Sequence, residues 1–149
     1  MNRDKARKAI RKAVGYRWLE ILEPNIYLGD REIIEVSPEE MKADMADFVP
    51  TREYTENYHD CDDQTFEELG HMTRSWRKAR GFAWSEPHAF CVFLWKEELW
   101  IYDRGTILPY REAMTMDYYR KIYKLKGIRL LPVKYWLKGR FFKRDLPVI

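Results

Sequence analysis

Cysteine, histidine and long apolar runs are all scarce in this chain, and each shortage removes a class of protein. Two cysteines, Cys61 and Cys91, make no disulfide framework, so the fold rests on a packed core and a reducing compartment is expected. Three histidines, His59, His71 and His88, leave few ligands for zinc. The one available set, His59, Cys61, His71 and either His88 or Cys91, fails on geometry. Cys61 and His71 fall on one predicted helix, nearly three turns or about 15 Å apart. No run of about 18 apolar residues exists, so no segment is suited to span a membrane as a helix. Met1-Asn2-Arg3-Asp4-Lys5 leads into alternating charge rather than the apolar stretch of a signal sequence, and a cytoplasmic location is expected. Repeats, low-complexity segments and linkers are also missing. The 149 residues are expected to form a single domain, 1–149, burying about two-thirds of the unfolded surface.

Aromatic side chains are plentiful: six Trp, ten Tyr and seven Phe, enough both to fill a core and to line a substrate groove. Charge is unevenly placed. Residues 120–144 carry ten Lys/Arg and no acid, while the rest of the chain holds 17 Lys/Arg against 24 Asp/Glu. That asymmetry makes the basic, aromatic segment Lys134-Tyr135-Trp136-Leu137-Lys138-Gly139-Arg140-Phe141-Phe142-Lys143-Arg144 a candidate for binding nucleic acid or another anionic polymer. Its plainer reading is a solvated strand pair packed through Trp136 and Phe141.

Apolar spacing predicts an N-terminal helix over 3–22, stopped by Glu23-Pro24-Asn25, then short strands at 26–28 and 32–36 split by a Gly29-Asp30 turn. Ser37-Pro38-Glu39-Glu40 reads as a helix start, with Ser as cap, Pro in the first turn and Glu completing a capping box. Met41, Met45 and Phe48 are its buried side. Residues 51–60 read as a loop. Phe66, Leu69, Met72 and Trp76 then give a helical stripe predicted to run from Cys61 to about Arg80, with Gly81 as its stop and Gly70 marking a close backbone approach. A β-hairpin is expected from 88–95 and 99–103, followed by a short strand at 107–110, a helix over 112–125 ended by Gly127, and a strand at 128–133.

Chemistry concentrates at Tyr58-His59-Asp60-Cys61-Asp62-Asp63-Gln64-Thr65-Phe66. Cys61 falls at a helix mouth, where unpaired N–H groups and the helix dipole favour a thiolate. His88 opens one strand and Asp103 ends the next. Cysteine, histidine and aspartate in that order form a nucleophile, a base and the group that orients the base. A Lys96–Glu98 loop would put Asp103 across from Cys91, a few residues off register with His88. A bulge or another register is then needed, and Asp117 is an alternative orienter. The Cys61 N–H and Asn57 are candidate oxyanion donors. Asp62 and Asp63 crowd the thiol with like charge, a conflict that a bound Ca²⁺ would remove.

The run Asp60-Cys61-Asp62-Asp63, with Tyr54 and Tyr58 before it and His88-Ala89 after it, resembles the papain-like cysteine peptidases. Within them it is similar to the peptidase-like C-terminal domain of a fungal (Marasmius-type) agglutinin and to related phage proteins described as lectins. The resemblance covers about residues 26–110. Cys91 stands where that pattern has Asn, and Tyr102-Asp103 where it has Glu-Pro. The resemblance implies an α+β fold with the cysteine helix packed on a small antiparallel sheet. It also implies Cys61, His88 and Asp103 as catalytic residues acting on a peptide or protein amide, calcium held by Asp62 and Asp63, and a phage origin with a location in the host cytoplasm. Three other readings stay open: a peptidoglycan amidase, a catalytically inactive structural module, and a nucleic-acid-binding protein using residues 120–144.

Overall fold

The computed structural model describes residues 1–14, 26–28, 35–56, 60–72 and 79–132. Several expectations lie outside these residues: the second half of the N-terminal helix, the turn and most of the strand predicted over 29–36, Asn57, Tyr58 and His59, Trp76, and the basic aromatic tail. The observed elements are α1 (Arg3–Val14), β1 (Ile26–Leu28), α2 (Pro38–Asp44), α3 (Cys61–His71), β2 (Ala79–Trp84), β3 (Ala89–Trp95), β4 (Glu98–Asp103), β5 (Thr106–Pro109), α4 (Tyr110–Ala113), α5 (Asp117–Tyr123) and β6 (Gly127–Pro132).

The protein is α+β. Six strands form one sheet in the order β1-β6-β2-β3-β4-β5, with every neighbouring pair antiparallel except the short β1, which runs parallel to β6 at one edge. Both faces are covered. Strand alternation sends Phe90, Val92 and Leu94 of β3 to one side, where they meet Ala6, Ala9 and Ile10 of α1 and Tyr123 of α5. Cys91 and Phe93 point to the other side, against Leu69 and Met72 at the end of α3 and Met41 and Met45 from α2 and its end. Among the described residues no helix is long and apolar enough to cross a membrane.

The capping box at α2 forms as its sequence requires. The Glu40 N–H donates to Ser37 Oγ at 3.0 Å, and the Ser37 N–H donates to Glu40 Oε2 at 3.1 Å. Elsewhere local pattern yields to the sheet. The helix from Cys61 stops at His71 instead of reaching Arg80, and residues 79–84, expected as a helix end and connection, are a central strand. Arg80 is fully buried there. Its guanidinium donates to the Met72 carbonyl at 2.9 Å and to Asp44, tying the end of α3 to α2. A Lys or Arg near a helix end looks solvated in sequence; a partner 36 residues away makes this one structural. Among the described residues nothing lies within 4 Å of a Cβ built at Gly70, so no close approach there explains it. Gly127 does not end a helix but begins β6, where the Trp84 indole lies so close that a Cβ would meet it at 2.0 Å. The helix expected over 112–125 is two short ones, broken at 114–116, and Tyr110 belongs to the first of them rather than to the strand before it.

The hairpin carries the correction that matters most. Its loop is two residues long, Lys96 and Glu97, both at positive φ (49° and 60°), the turn whose twist matches that of paired strands. Cys91 therefore pairs with Tyr102, not with Asp103, and the register continues to place Asp103 across from Phe90. A shift of one residue exchanges the faces of a strand. It puts Asp103 on the same face as Phe90 and His88.

Candidate active site

At the end of the sheet where β3 begins and β4 ends, the two layers meet around a cleft of about 530 Å³. Cys61, His88 and Asp103 all line it, so the structure brings the three predicted residues to one place. Tyr54 and Tyr118, 53% and 70% exposed, stand at its walls as large aromatic surfaces open to solvent.

Cys61 is the first residue of α3 and is half-buried. Its carbonyl accepts the Thr65 hydroxyl at 2.6 Å, and its Sγ accepts the Ala89 N–H at 3.4 Å. The nucleophile candidate thus rests on the backbone of the residue next to the candidate base. The His88 Nε2 donates to Asp103 Oδ2 at 2.9 Å. Diagonal neighbours on one face of a strand pair are within reach of long side chains, which the one-residue register shift makes possible. Asp103 also accepts the Tyr123 hydroxyl at 2.7 Å. Burial alone would raise the Asp103 carboxyl, but the hydrogen bonds from His88 and Tyr123 outweigh it and hold the group below the usual carboxylate range. Burial, and then the hydrogen bond to Asp103, push the Tyr123 phenol well up, so it remains a donor. With Nε2 committed to Asp103, Nδ1 is the ring nitrogen left to serve a thiol. Among the described residues no hydrogen bond joins the Cys61 sulfur to the His88 ring. Asp117, the other candidate orienter, is exposed on α5 and paired with Arg120.

The acids at the helix mouth do not act alike. The Asp60 N–H donates to Asp63 Oδ2 at 3.4 Å, which commits Asp63 to capping. Asp62 turns instead toward Asp60. A hydrogen bond between the two carboxyls, then burial, raises the Asp62 pKa, as expected of crowded acids. Ligand atoms of Asp60, Cys61 and Asp62 lie within 4.8 Å of one another. The two carboxylates are hard oxygen donors at a solvent-facing helix end, and a dication would offset their mutual repulsion. The sulfur is not a calcium ligand, and Ca²⁺ takes about six to eight oxygens, so water would complete the shell. Asp60 and Asp62, rather than Asp62 and Asp63, are therefore the carboxylates that could hold such an ion, with water as the remaining ligands.

Two functional neighbours escaped the sequence reading. Tyr123 gave no signal beyond an aromatic in a helical stripe. Glu68 did give one: Cys61, Thr65, Glu68 and Met72 recur at helical spacing, an acid on the face that becomes core. Glu68 is 1% exposed, accepts the Arg104 N–H at 3.1 Å and contacts the Cys91 sulfur at 3.6 Å. Burial, then the Asp103 charge, push its carboxyl up to about 7. Cys91 is fully buried, and burial, then Glu68, raise its thiol well above the ordinary value, so it is the inert cysteine of the two.

No protein-family model, curated protein or solved structure matches the chain.

Proposed function

We propose that the chain is a papain-like cysteine hydrolase that cleaves peptide or isopeptide amides by acyl transfer. One observation carries the reading: a half-exposed thiol at a helix mouth shares a cleft with a histidine whose far nitrogen is held by a partly buried carboxylate. In this mechanism Cys61 leaves the Ala89 N–H, and His88 Nδ1 takes its proton. The thiolate attacks the amide carbon, and the oxyanion meets the Cys61 N–H, one of the first-turn amides that have no partner within the helix. His88 then gives its proton to the departing amine, leaving a thioester on Cys61. Water, deprotonated by His88, attacks the thioester and releases the acid and the thiol. Asp103 fixes the tautomer of His88 and stabilises its imidazolium, and Tyr123 holds Asp103. Calcium bound at Asp60 and Asp62 would neutralise negative charge beside the sulfur.

The test is the rate of iodoacetamide labelling against pH, with Cys61→Ala and Cys91→Ala as controls. The reading expects Cys61 to label at neutral pH faster than a free thiol, with His88→Ala removing the advantage. Labelling no faster than free cysteine would leave the chain as a non-catalytic module.

A further inference from the structure

A second cavity, of about 390 Å³, opens on the α3 side of the sheet and shares Arg104 with the cleft. We propose that it is a specificity subsite for a basic side chain of the substrate, lysine or arginine, an inference that rests on the amide-hydrolase reading. Its walls are apolar: Met45, Phe48 and Pro50. Its polar lining includes two residues of α3 one helical turn apart, Gln64 and Glu68, beside Tyr102 and Arg104.

Both are buried beyond nine-tenths, Gln64 at 7% and Glu68 at 1% exposure. The Gln64 amide has no hydrogen-bond partner among the described residues, and its atoms are not sealed from the cavity, so a guest can reach them. Glu68 has a backbone N–H and a thiol as partners, and no lysine, arginine or histidine forms an ion pair with it among the described residues. Arg104 gives Glu68 its backbone N–H, while its guanidinium stands 5.4 Å over the Tyr54 ring, forms no ion pair with the carboxylate and acts on it only through space. A buried carboxylate with no ion-pair partner is costly, and burial is the chief cause of its raised pKa. A guest with an alkyl stem and a cationic head answers each feature. Its stem lies along Met45, Phe48 and Pro50, its head neutralises Glu68, and the Gln64 amide oxygen accepts one of its N–H bonds.

The wall is held for such a guest. Glu67 clamps Thr51 through its backbone N–H at 3.0 Å and through its hydroxyl, just past Pro50. Phe48 packs edge-on against the His71 ring at 5.3 Å. The volume falls within the range of small-ligand sites, about 300–1,000 Å³.

Two arms test the proposal. The first measures binding of N-acetyl-lysine N-methylamide and its norleucine counterpart by titration calorimetry at pH 8. The lysine probe should bind at least about tenfold more tightly, as a hydrogen-bonded charge allows, and Glu68→Gln should abolish the difference. Gln64→Leu, which leaves Glu68 in place, should reduce it. The second arm compares kcat/KM for peptides with lysine or norleucine beside the scissile amide, expecting the same preference and the same loss in Glu68→Gln. Selective lysine binding without hydrolysis of either peptide retains the subsite and overturns the hydrolase. Hydrolysis of both peptides alike, with equal binding of the two probes, retains the hydrolase and overturns the subsite. Equal or absent binding of both probes to the folded wild-type protein overturns the subsite in either case.

Discussion

Helix α3 stands between two histidine–aspartate pairs that are nearly identical by distance and opposite in surroundings. Near its first turn, His88 meets Asp103 at 2.9 Å; in its last turn, His71 meets Asp47 at 3.0 Å. Both imidazoles are 17% exposed, but the Asp103 side chain is 11% exposed and the Asp47 side chain 60%. Asp103 has a second donor in Tyr123 and a cleft with a thiol beside it, whereas His71 packs against Phe48 and ties the chain after α2 to α3. A histidine–carboxylate contact is therefore not itself a site. Burial of the acid makes the contact strong enough to hold a tautomer, and a nucleophile within the same cleft gives that tautomer a use.

The sharpest way to break this contrast is mutation at both ends of α3. Cys61→Ala and His88→Ala should each lower amide hydrolysis by about a hundredfold to ten-thousandfold or more, while His71→Ala should cost at most about threefold, through the Phe48 wall it supports, and about 1 kcal/mol of stability. Equal loss at His71 and His88 would end the distinction.

The next largest effect lies between the two ends. The Glu68 carboxyl is raised in the folded protein, so the fold holds its proton more tightly than the unfolded chain does. That contribution to stability is complete below pH about 4.5 and fades as pH rises through about 7, by about 3 kcal/mol in all. Glu68→Gln should therefore flatten the fall of Tm between pH 5 and pH 8, an outcome read by thermal unfolding at each pH.

The acids themselves offer a third comparison. Asp103→Asn should cost at least about tenfold in kcat because the amide no longer favours the required imidazole tautomer, and Asp47→Asn should cost nothing in kcat. The hairpin loop offers a fourth. Lys96 and Glu97 sit at positive φ, where non-glycine residues are strained by about 1–2 kcal/mol each. Replacing them with Asn and Gly should raise Tm without altering kcat, since the register is preserved; a loss of activity would show that the strain itself matters. The smallest effect concerns charge at the helix mouth. Millimolar calcium, or Asp62→Asn, should speed alkylation of Cys61 about two- to threefold by relieving like charge, and should leave His71 and its surroundings unchanged.

The elements that were legible were those written in local chemistry. The Ser37 capping box, the Cys61 helix start and the two strands of the hairpin each follow from residues within one or two turns of one another. The readings that failed were those needing distant partners. Arg80-Gly81 resembles a helix end, yet the contact of the buried Arg80 with the partly exposed Asp44 and pairing with both β3 and β6 make the segment a strand. The expected Gly127 stop fails in the same way, because the demand on that glycine comes from Trp84 across the sheet.

The amino-acid sequence alone determined which side chains could do chemistry, a thiol at a helix mouth, an imidazole at a strand start and a carboxylate at a strand end, because helix caps and strand patterns are set by near neighbours. Tertiary structure decided that the imidazole and the carboxylate share a face. Lys96-Glu97 carries none of the Asn-Gly signals of a tight turn, and only the packing of both sheet faces forces it into one. With a side-chain period of two, that single residue of register separates a joined pair from two residues on opposite sides of the sheet.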